Sequence, residues 1–90
     1  MAVTVRIPAP LRTMTGGASS VDCDAGTVRQ LIAQLDTRHP GFGERVMQGQ
    51  ELRRFVNVFV AGEDVRFGDG IETAVQDGQE VTILPAVAGG

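Results

Sequence analysis

Thr27-Val28-Arg29-Gln30-Leu31-Ile32-Ala33-Gln34-Leu35-Asp36-Thr37-Arg38 decides how the rest of this chain is read. Thr27 and Gln30 have the T-x-x-Q spacing of a capping box: the threonine oxygen accepts an early helix N–H, and the glutamine reaches back to the cap. Val28, Leu31, Ile32 and Leu35 follow at i, i+3, i+4 and i+7, a single apolar stripe that needs a core to face. Arg38 and His39 stand where the helix dipole favours cations, and Pro40-Gly41 stops the run. The spacing predicts one main helix over about residues 28–38.

Strand patterns flank it on both sides. Val3, Val5 and Ile7 alternate with Thr4 and Arg6, the period-two signature of a half-buried strand, and Pro8-Ala9-Pro10 ends it. Beyond the turn signal Gly16-Gly17, a second strand runs from about Ala18 to Cys23, with Val21 and Cys23 on one face, giving an amino-terminal hairpin. After the helix, Phe42 to Met47 reads as a further helical turn closed by Gly49-Gln50. Phe55-Val56-Asn57-Val58-Phe59-Val60 is the most strand-like run; its valines share one side and Phe55, Asn57 and Phe59 the other. Apolar residues on both sides predict a central strand, or one whose outer face meets a partner. Ala61-Gly62-Glu63-Asp64 turns the chain, and Val65-Arg66-Phe67 reads as a short edge strand. Turn signals at Gly68-Asp69-Gly70 and Gln76-Asp77-Gly78-Gln79 bracket a brief 3₁₀ segment at Ile71–Val75. Glu80 to Leu84 is the last strand, and Pro85 is expected to end the sheet. Hairpins on either side of one helix make an α+β fold with the helix on one sheet face. If the first and last strands lie parallel in the middle, the result is a β-grasp with a mixed four- to five-stranded sheet. The expected organisation is a domain over 1–84 and a flexible tail over 85–90.

Composition excludes much. Ninety residues, 42% of them apolar, hold one small core. Eight arginines, eleven acids and no lysine give a net charge of −3, which argues against nucleic acid as a partner. Without lysine there is no Walker-type phosphate loop and no Schiff base. One cysteine, Cys23, forbids an internal disulfide, and one histidine, His39, leaves too few soft ligands for zinc. Cys23 reads as a small buried hydrophobe rather than a persulfide carrier, and His39 as a charge at the helix end. Arg53-Arg54 reads as a solvated strand start. Gly68-x-Gly70 is no nucleotide loop, since Thr73 breaks the G-x-G-x-x-G pattern. No apolar run reaches transmembrane length, and the first residues lack a signal peptide's basic start, so a cytoplasmic, membrane-free monomer is expected. No catalytic or metal-binding constellation is visible, and the chain is not expected to be an enzyme.

The chemistry is expected in the tail, Pro85-Ala86-Val87-Ala88-Gly89-Gly90. It carries no charged side chain, its residues are small, and it can extend about 20 Å. Such a segment can thread a narrow tunnel and present a carboxylate to another protein's active site. Asp77-Gly78-Gln79-Glu80-Val81-Thr82-Ile83-Leu84 leading into this tail resembles the end of the ubiquitin-like sulfur carrier proteins. That family includes the small subunit of molybdopterin synthase and the thiamine sulfur carrier. Arg53-Arg54-Phe55-Val56-Asn57-Val58-Phe59-Val60, Glu63-Asp64-Val65-Arg66-Phe67, and the early Val3-Thr4-Val5-Arg6-Ile7-Pro8 with Leu11-Arg12 and Thr15-Gly16-Gly17 extend the resemblance over nearly the whole chain. They are most similar to the actinobacterial branch that serves cysteine biosynthesis. Pro85-Ala86 stands where molybdopterin-type carriers more often show two prolines.

The resemblance implies that Gly90 is the sulfur-bearing residue, with Val87, Ala88 and Gly89 as its leash. An ATP-dependent adenylating and sulfurtransferase enzyme would join the Gly90 carboxylate to AMP and convert it to a thiocarboxylate. A pyridoxal-phosphate (PLP) cysteine synthase would then take the sulfur, and a zinc metalloprotease of the deubiquitinase type would release the cysteine formed. ATP, PLP and zinc would belong to those partners, with no cofactor bound by this chain. Three other readings stay open: the small subunit of molybdopterin synthase, a protein modifier attached through Gly90, and a plain interaction module whose terminal glycines are incidental. Ile7, Arg12, Phe59 and Leu84 are the candidate docking surface, an apolar patch with an arginine rim. Ile7 and Phe59 have an alternative place in the core.

Overall fold

The computed structural model describes residues 2–54 and 56–85. Strand β1 (Val3–Arg6) pairs antiparallel with β2 (Ser20–Cys23), Val3 opposite Cys23 and Val5 opposite Val21, as the alternation requires. The connection is no simple loop. Ala9–Leu11 forms a 3₁₀ turn that buries Leu11, and the buried Thr15 hydroxyl lies 2.9 Å from the Ala18 carbonyl oxygen. A two-residue strand, β3 (Gly26–Thr27), then runs directly into helix α1 (Val28–Arg38).

The helix begins where the capping box places it. Thr27 Oγ1 accepts from the Gln30 N–H at 3.2 Å, and Gln30 Oε1 accepts from the Thr27 N–H at 2.8 Å. Gly26 leaves room for this, since a Cβ there would collide with the Gln30 amide. Val28, Leu31, Ile32 and Leu35 are all buried. Fully burying each such side chain contributes about 1.5–3 kcal/mol, which outweighs the small propensities of the helix itself.

Helix α2 (Phe42–Val46) follows, burying Phe42 and Val46 completely, and leads into a small hairpin of β4 (Met47–Gln48) and β5 (Glu51–Leu52) around Gly49-Gln50. Strand β6 (Val56–Val60) buries its three valines and leaves Asn57 and Phe59 half-buried; Phe55 lies outside the described residues. Ala61 and Gly62, both at positive φ, make the tight turn to β7 (Glu63–Asp64). The two-residue connection with left-handed backbone is the kind that matches strand twist.

Val65–Phe67 is not an edge strand. Its alternation mimics one, but Asp64 Oδ1 accepts from the Arg66 N–H at 2.9 Å and caps a 3₁₀ turn with Val65 buried beneath. The edge strand is β7, two residues earlier. A third 3₁₀ turn, at Gly70–Glu72, precedes β8 (Ala74–Val75), which pairs with β3. Strand β9 (Glu80–Pro85) completes the main sheet. It runs through Pro85, which stands opposite Val56, one residue beyond where proline chemistry alone would stop it. The ladder with β1 has already ended at Thr82, so a residue without an N–H is tolerated there.

The sheet order is β2-β1-β9-β6-β7, with β1 and β9 parallel in the middle. This is the mixed, five-stranded β-grasp expected. Its inward face, with Val3, Val5, Val58, Val81 and Ile83, shares one core with α1. The open edge at β2 is covered by the helix: Arg38 Nη1 donates to the Asp22 carbonyl, and Gln34 exchanges hydrogen bonds with both backbone groups of Asp24. No helix among the described residues is long and apolar enough to cross a membrane.

Candidate functional site

Because α1 occupies one face of the sheet, the other faces solvent. The register collects a defined set of side chains there. Thr82 of β9 lies beside Arg6 in the parallel ladder and opposite Phe59 in the antiparallel one, while Leu84 lies opposite Asn57. Residues paired across a ladder share a face, so Arg6, Thr82, Leu84, Asn57 and Phe59 form one surface. Phe59 is half-buried, and Leu84 is 44% exposed although it belongs to a central strand. Leu84 and half-buried Phe59 are the apolar part of a face otherwise made of Arg6, Thr82 and Asn57.

Of the four expected docking residues, Arg12, Phe59 and Leu84 are accessible at or beside the open face, and Ile7 is not. Arg12, Ile7 and Leu84 line a cleft of about 350 Å³ with Arg6, Pro8, Ser19, Thr82 and Ile83. Yet Ile7 is only 2% exposed and its side chain belongs to the core, so it does not present a docking side chain. Ile7 contributes its carbonyl, which accepts from Arg12 Nε at 3.0 Å and fixes the guanidinium at the rim of the cleft. Leu84 and Phe59 are on the open face, with Arg12 exposed beside it.

Other groups were not legible from sequence. Arg6 sits on the same face, with Nε 3.6 Å from Glu80, a loose surface pair of little energetic weight. Arg66 donates at 2.7 Å to Asn57 Oδ1 and at 2.7 Å to the Arg53 carbonyl, clamping the Val65–Phe67 turn to the start of β6. The arginine pair is not merely solvated: Arg53 Nε donates to the Glu44 carbonyl at 2.6 Å, tying this segment to α2. Alternation could have placed Arg6 outward with Thr4. Nothing in the sequence spacing signals the long-range reach of Arg66.

The open face ends where β9 delivers the chain at Pro85. Val87, Ala88, Gly89 and Gly90 lie outside the described residues. Strand β9 is paired with β1 as far as Thr82 and with β6 as far as Pro85, so the point from which those residues continue is held by the ladder with β6.

Cys23 stands apart from this face. It is buried at the end of β2, opposite Val3. Burial pushes its thiol up, the Arg38 charge opposes that shift, and Asp24 and Asp22 add to it. A raised thiol favours the folded state below the ordinary thiol range. That stability falls as pH climbs from there towards the raised native value. The native protein is therefore expected to resist a thiol-specific reagent such as DTNB at mildly alkaline pH, and to react only as it unfolds. Rapid labelling of the folded chain would show that the thiol is accessible.

Comparison with known proteins bears on the fold and the family. The ThiS family matches residues 5–90. The sulfur carrier protein CysO of Mycobacterium tuberculosis is 50% identical over 93 residues, covering 100% of both chains. Small archaeal modifier protein 3 of Haloferax volcanii is 36% identical, again covering 100% of both. A chain in the crystal structure of the Amycolatopsis orientalis BexX/CysO complex superposes with a TM-score of 0.94 at 52% identity, covering 99% of this chain and 100% of that one. The chain thus belongs to the ThiS family, and its full-length likeness to CysO makes it a sulfur carrier protein.

Proposed function

We propose that Gly90 is the sulfur-bearing end of the carrier. The observation that carries this reading is a central strand, β9, running into Ala86-Val87-Ala88-Gly89-Gly90, in a chain alignable end to end with CysO. A carboxylate is a poor electrophile, because its charge is delocalised and it has no good leaving group. Attack of the Gly90 carboxylate on the α-phosphorus of ATP, on an activating enzyme, expels pyrophosphate and gives an acyl adenylate. A sulfur nucleophile then displaces AMP and leaves a thiocarboxylate. Val87, Ala88 and Gly89 supply a leash slim enough for an enclosed site, and Arg12, Phe59 and Leu84 a face on which its owner can seat.

The sulfur then passes to a PLP-dependent cysteine synthase, which adds it to an aminoacrylate formed from an activated serine. Acyl migration leaves cysteine amide-linked to Gly90, and a zinc-dependent metalloprotease of the deubiquitinase type cleaves it. ATP, PLP and zinc reside on those enzymes, and this chain acts as their co-substrate without catalysing a step. The reactions take place in the cytoplasm. The test is reconstitution: thiocarboxylated chain, PLP synthase and O-phosphoserine should yield a chain lengthened by one cysteine. A molybdopterin synthase large subunit in place of the synthase should yield no sulfur transfer. Transfer to the molybdopterin precursor alone would assign the chain to molybdenum cofactor synthesis.

The likeness to a small archaeal modifier protein favours a second reading, attachment of Gly90 to amines of other proteins. An affinity-tagged chain that gives a ladder of high-mass adducts in cells, lost when Gly90 is removed, would support it.

A further inference from the structure

Four of the eight arginines of this net-acidic chain stand where β9 gives way to residues 86–90. On the β1 side, Arg12 lines the cleft that also holds Leu84. On the β6 side the placement follows from the ladder, in which Val56 faces Pro85 and Asn57 faces Leu84. Arg53 and Arg54 directly precede this stretch, and the Val56 N–H donates to the Arg53 carbonyl at 3.0 Å. Arg66 reaches the same place, donating at 2.7 Å both to Asn57 Oδ1 and to that carbonyl. The opposite end of the sheet is acidic. Thr4 lies between Asp22 and Glu80, and Val60 faces Glu63, so three carboxylates fall in the rows farthest from Pro85.

The arginines at the tail's root are not neutralised within the chain. Among the described residues the ion pairs are Arg6 with Glu80 and Arg29 with Glu72, and none involves Arg12, Arg53, Arg54 or Arg66. Glu51 and Asp69 share a cleft with Arg66 without pairing with it. Arg12 and Arg53 are fixed through Nε, by the Ile7 and Glu44 carbonyls, and Arg12, Arg54 and Arg66 are exposed. The result is a cationic collar around exposed Leu84, against the sign of the chain as a whole. The reach of the tail decides what meets it. Five extended residues span at most about 17 Å, so any enzyme acting on Gly90 brings the rim of its entrance close to Pro85. The complement of a cationic ring around an apolar side chain is a rim that carries carboxylates.

We propose that every enzyme taking this tail presents a carboxylate-lined rim at its entrance, seated on the collar of Arg12, Arg53, Arg54 and Arg66. This rests on the carrier reading given above. Any such enzyme must pass the root of the tail to reach Gly90, so the collar is a shared feature of recognition rather than the mark of one partner. It touches no reacting atom. It steers association and holds the seated chain, and its loss acts on binding rather than on the chemical step.

The experiment is ATP–pyrophosphate exchange catalysed by the activating enzyme, with the full chain as variable substrate. R12Q with R54Q should raise KM about fivefold or more with kcat unchanged, the effect of losing two exposed charge pairs. A33E with T37E makes the same change of net charge at exposed positions of α1, behind the sheet, and should leave KM where it was. Added salt should raise the wild-type KM and move that of the R12Q and R54Q chain much less. R54Q alone, at an exposed side chain, should show part of the same rise, and melting curves report the fold of each variant. An unchanged KM for R12Q with R54Q, an equal rise in the α1 variant, or a KM that falls on neutralisation overturns the proposal and leaves the carrier reading standing. Wild-type chain that supports no exchange, alongside a carrier known to be active, removes the carrier reading and this proposal with it. A single-stranded oligonucleotide that binds the wild type at physiological salt, but not R12Q with R54Q, would give the collar to nucleic acid, and would likewise overturn it.

Discussion

A chain lacking Gly90, or extended beyond it by one alanine, is expected to take up no sulfur from an activating enzyme while unfolding at the same temperature as the wild type. The two halves of this result have separate causes. Loading needs a carboxylate at the reach set by the leash from Pro85. A missing residue withdraws it by about 3.3–3.6 Å, and an added one places a Cβ-bearing residue at the reacting carbon. Such displacements are large for chemistry that requires reacting atoms about 3–3.5 Å apart. Stability is expected to be unchanged because, among the described residues, the buried ones run from Val3 to Ile83 and already form a continuous core. Sulfide uptake followed by alkylation of the thiocarboxylate reads the first half, and a melting curve the second. A shortened chain that still accepts sulfur would move suspicion to Cys23.

Phe42→Ala is expected to have the largest effect on folding. Phe42 is wholly buried at the start of α2 and is among the largest side chains in the core. Truncating a buried phenylalanine costs about 3–5 kcal/mol through lost transfer energy and the cavity left behind. Domains of this size hold only about 5–15 kcal/mol in total, and each kilocalorie shifts the midpoint by about 4–8 °C, so Tm should fall by at least about 12 °C. Phe59→Ala is the control. That ring is half-buried on the open face, and its loss should cost much less stability while weakening association with partners. Equal destabilisation by the two substitutions would mean that Phe59 is core and the open face is not a contact surface.

Local chemistry made much of this fold readable. The capping box and the i, i+3, i+4, i+7 stripe fix α1, because both act within a few residues and both reappear as hydrogen bonds and burial. The alternation of Val3, Val5 and Ile7 also placed Ile7 on the core side; assigning it to the docking surface ran against its own strand's periodicity, and burial decided for the core. Val65-Arg66-Phe67 misled because a branched residue and an aromatic around an arginine look like a strand. Asp64, a capping residue directly before them, was the competing signal, and it won. The pairing of Gly26–Thr27 with Ala74–Val75 left no trace in the pattern, since two residues are too few for a period and their partners lie far along the chain.

The site divides in the same way. The proposal for Gly90 and its leash rests on composition, small uncharged residues ending in a carboxylate, and those residues lie outside the described structure. The make-up of the open face was not legible, because it depends on register, which sets Thr82 between Arg6 and Phe59 and brings Leu84 opposite Asn57. Arg12 could be named from sequence, but not its tether to the Ile7 carbonyl.

Intact mass spectrometry of the chain after incubation with ATP, its activating enzyme and a sulfur donor tests the central claim most directly. The account predicts a mass gain equal to sulfur replacing one oxygen, located by fragmentation in the peptide that ends at Gly90. Sulfur found instead on the peptide containing Cys23, or no gain while the enzyme loads another carrier, would contradict it.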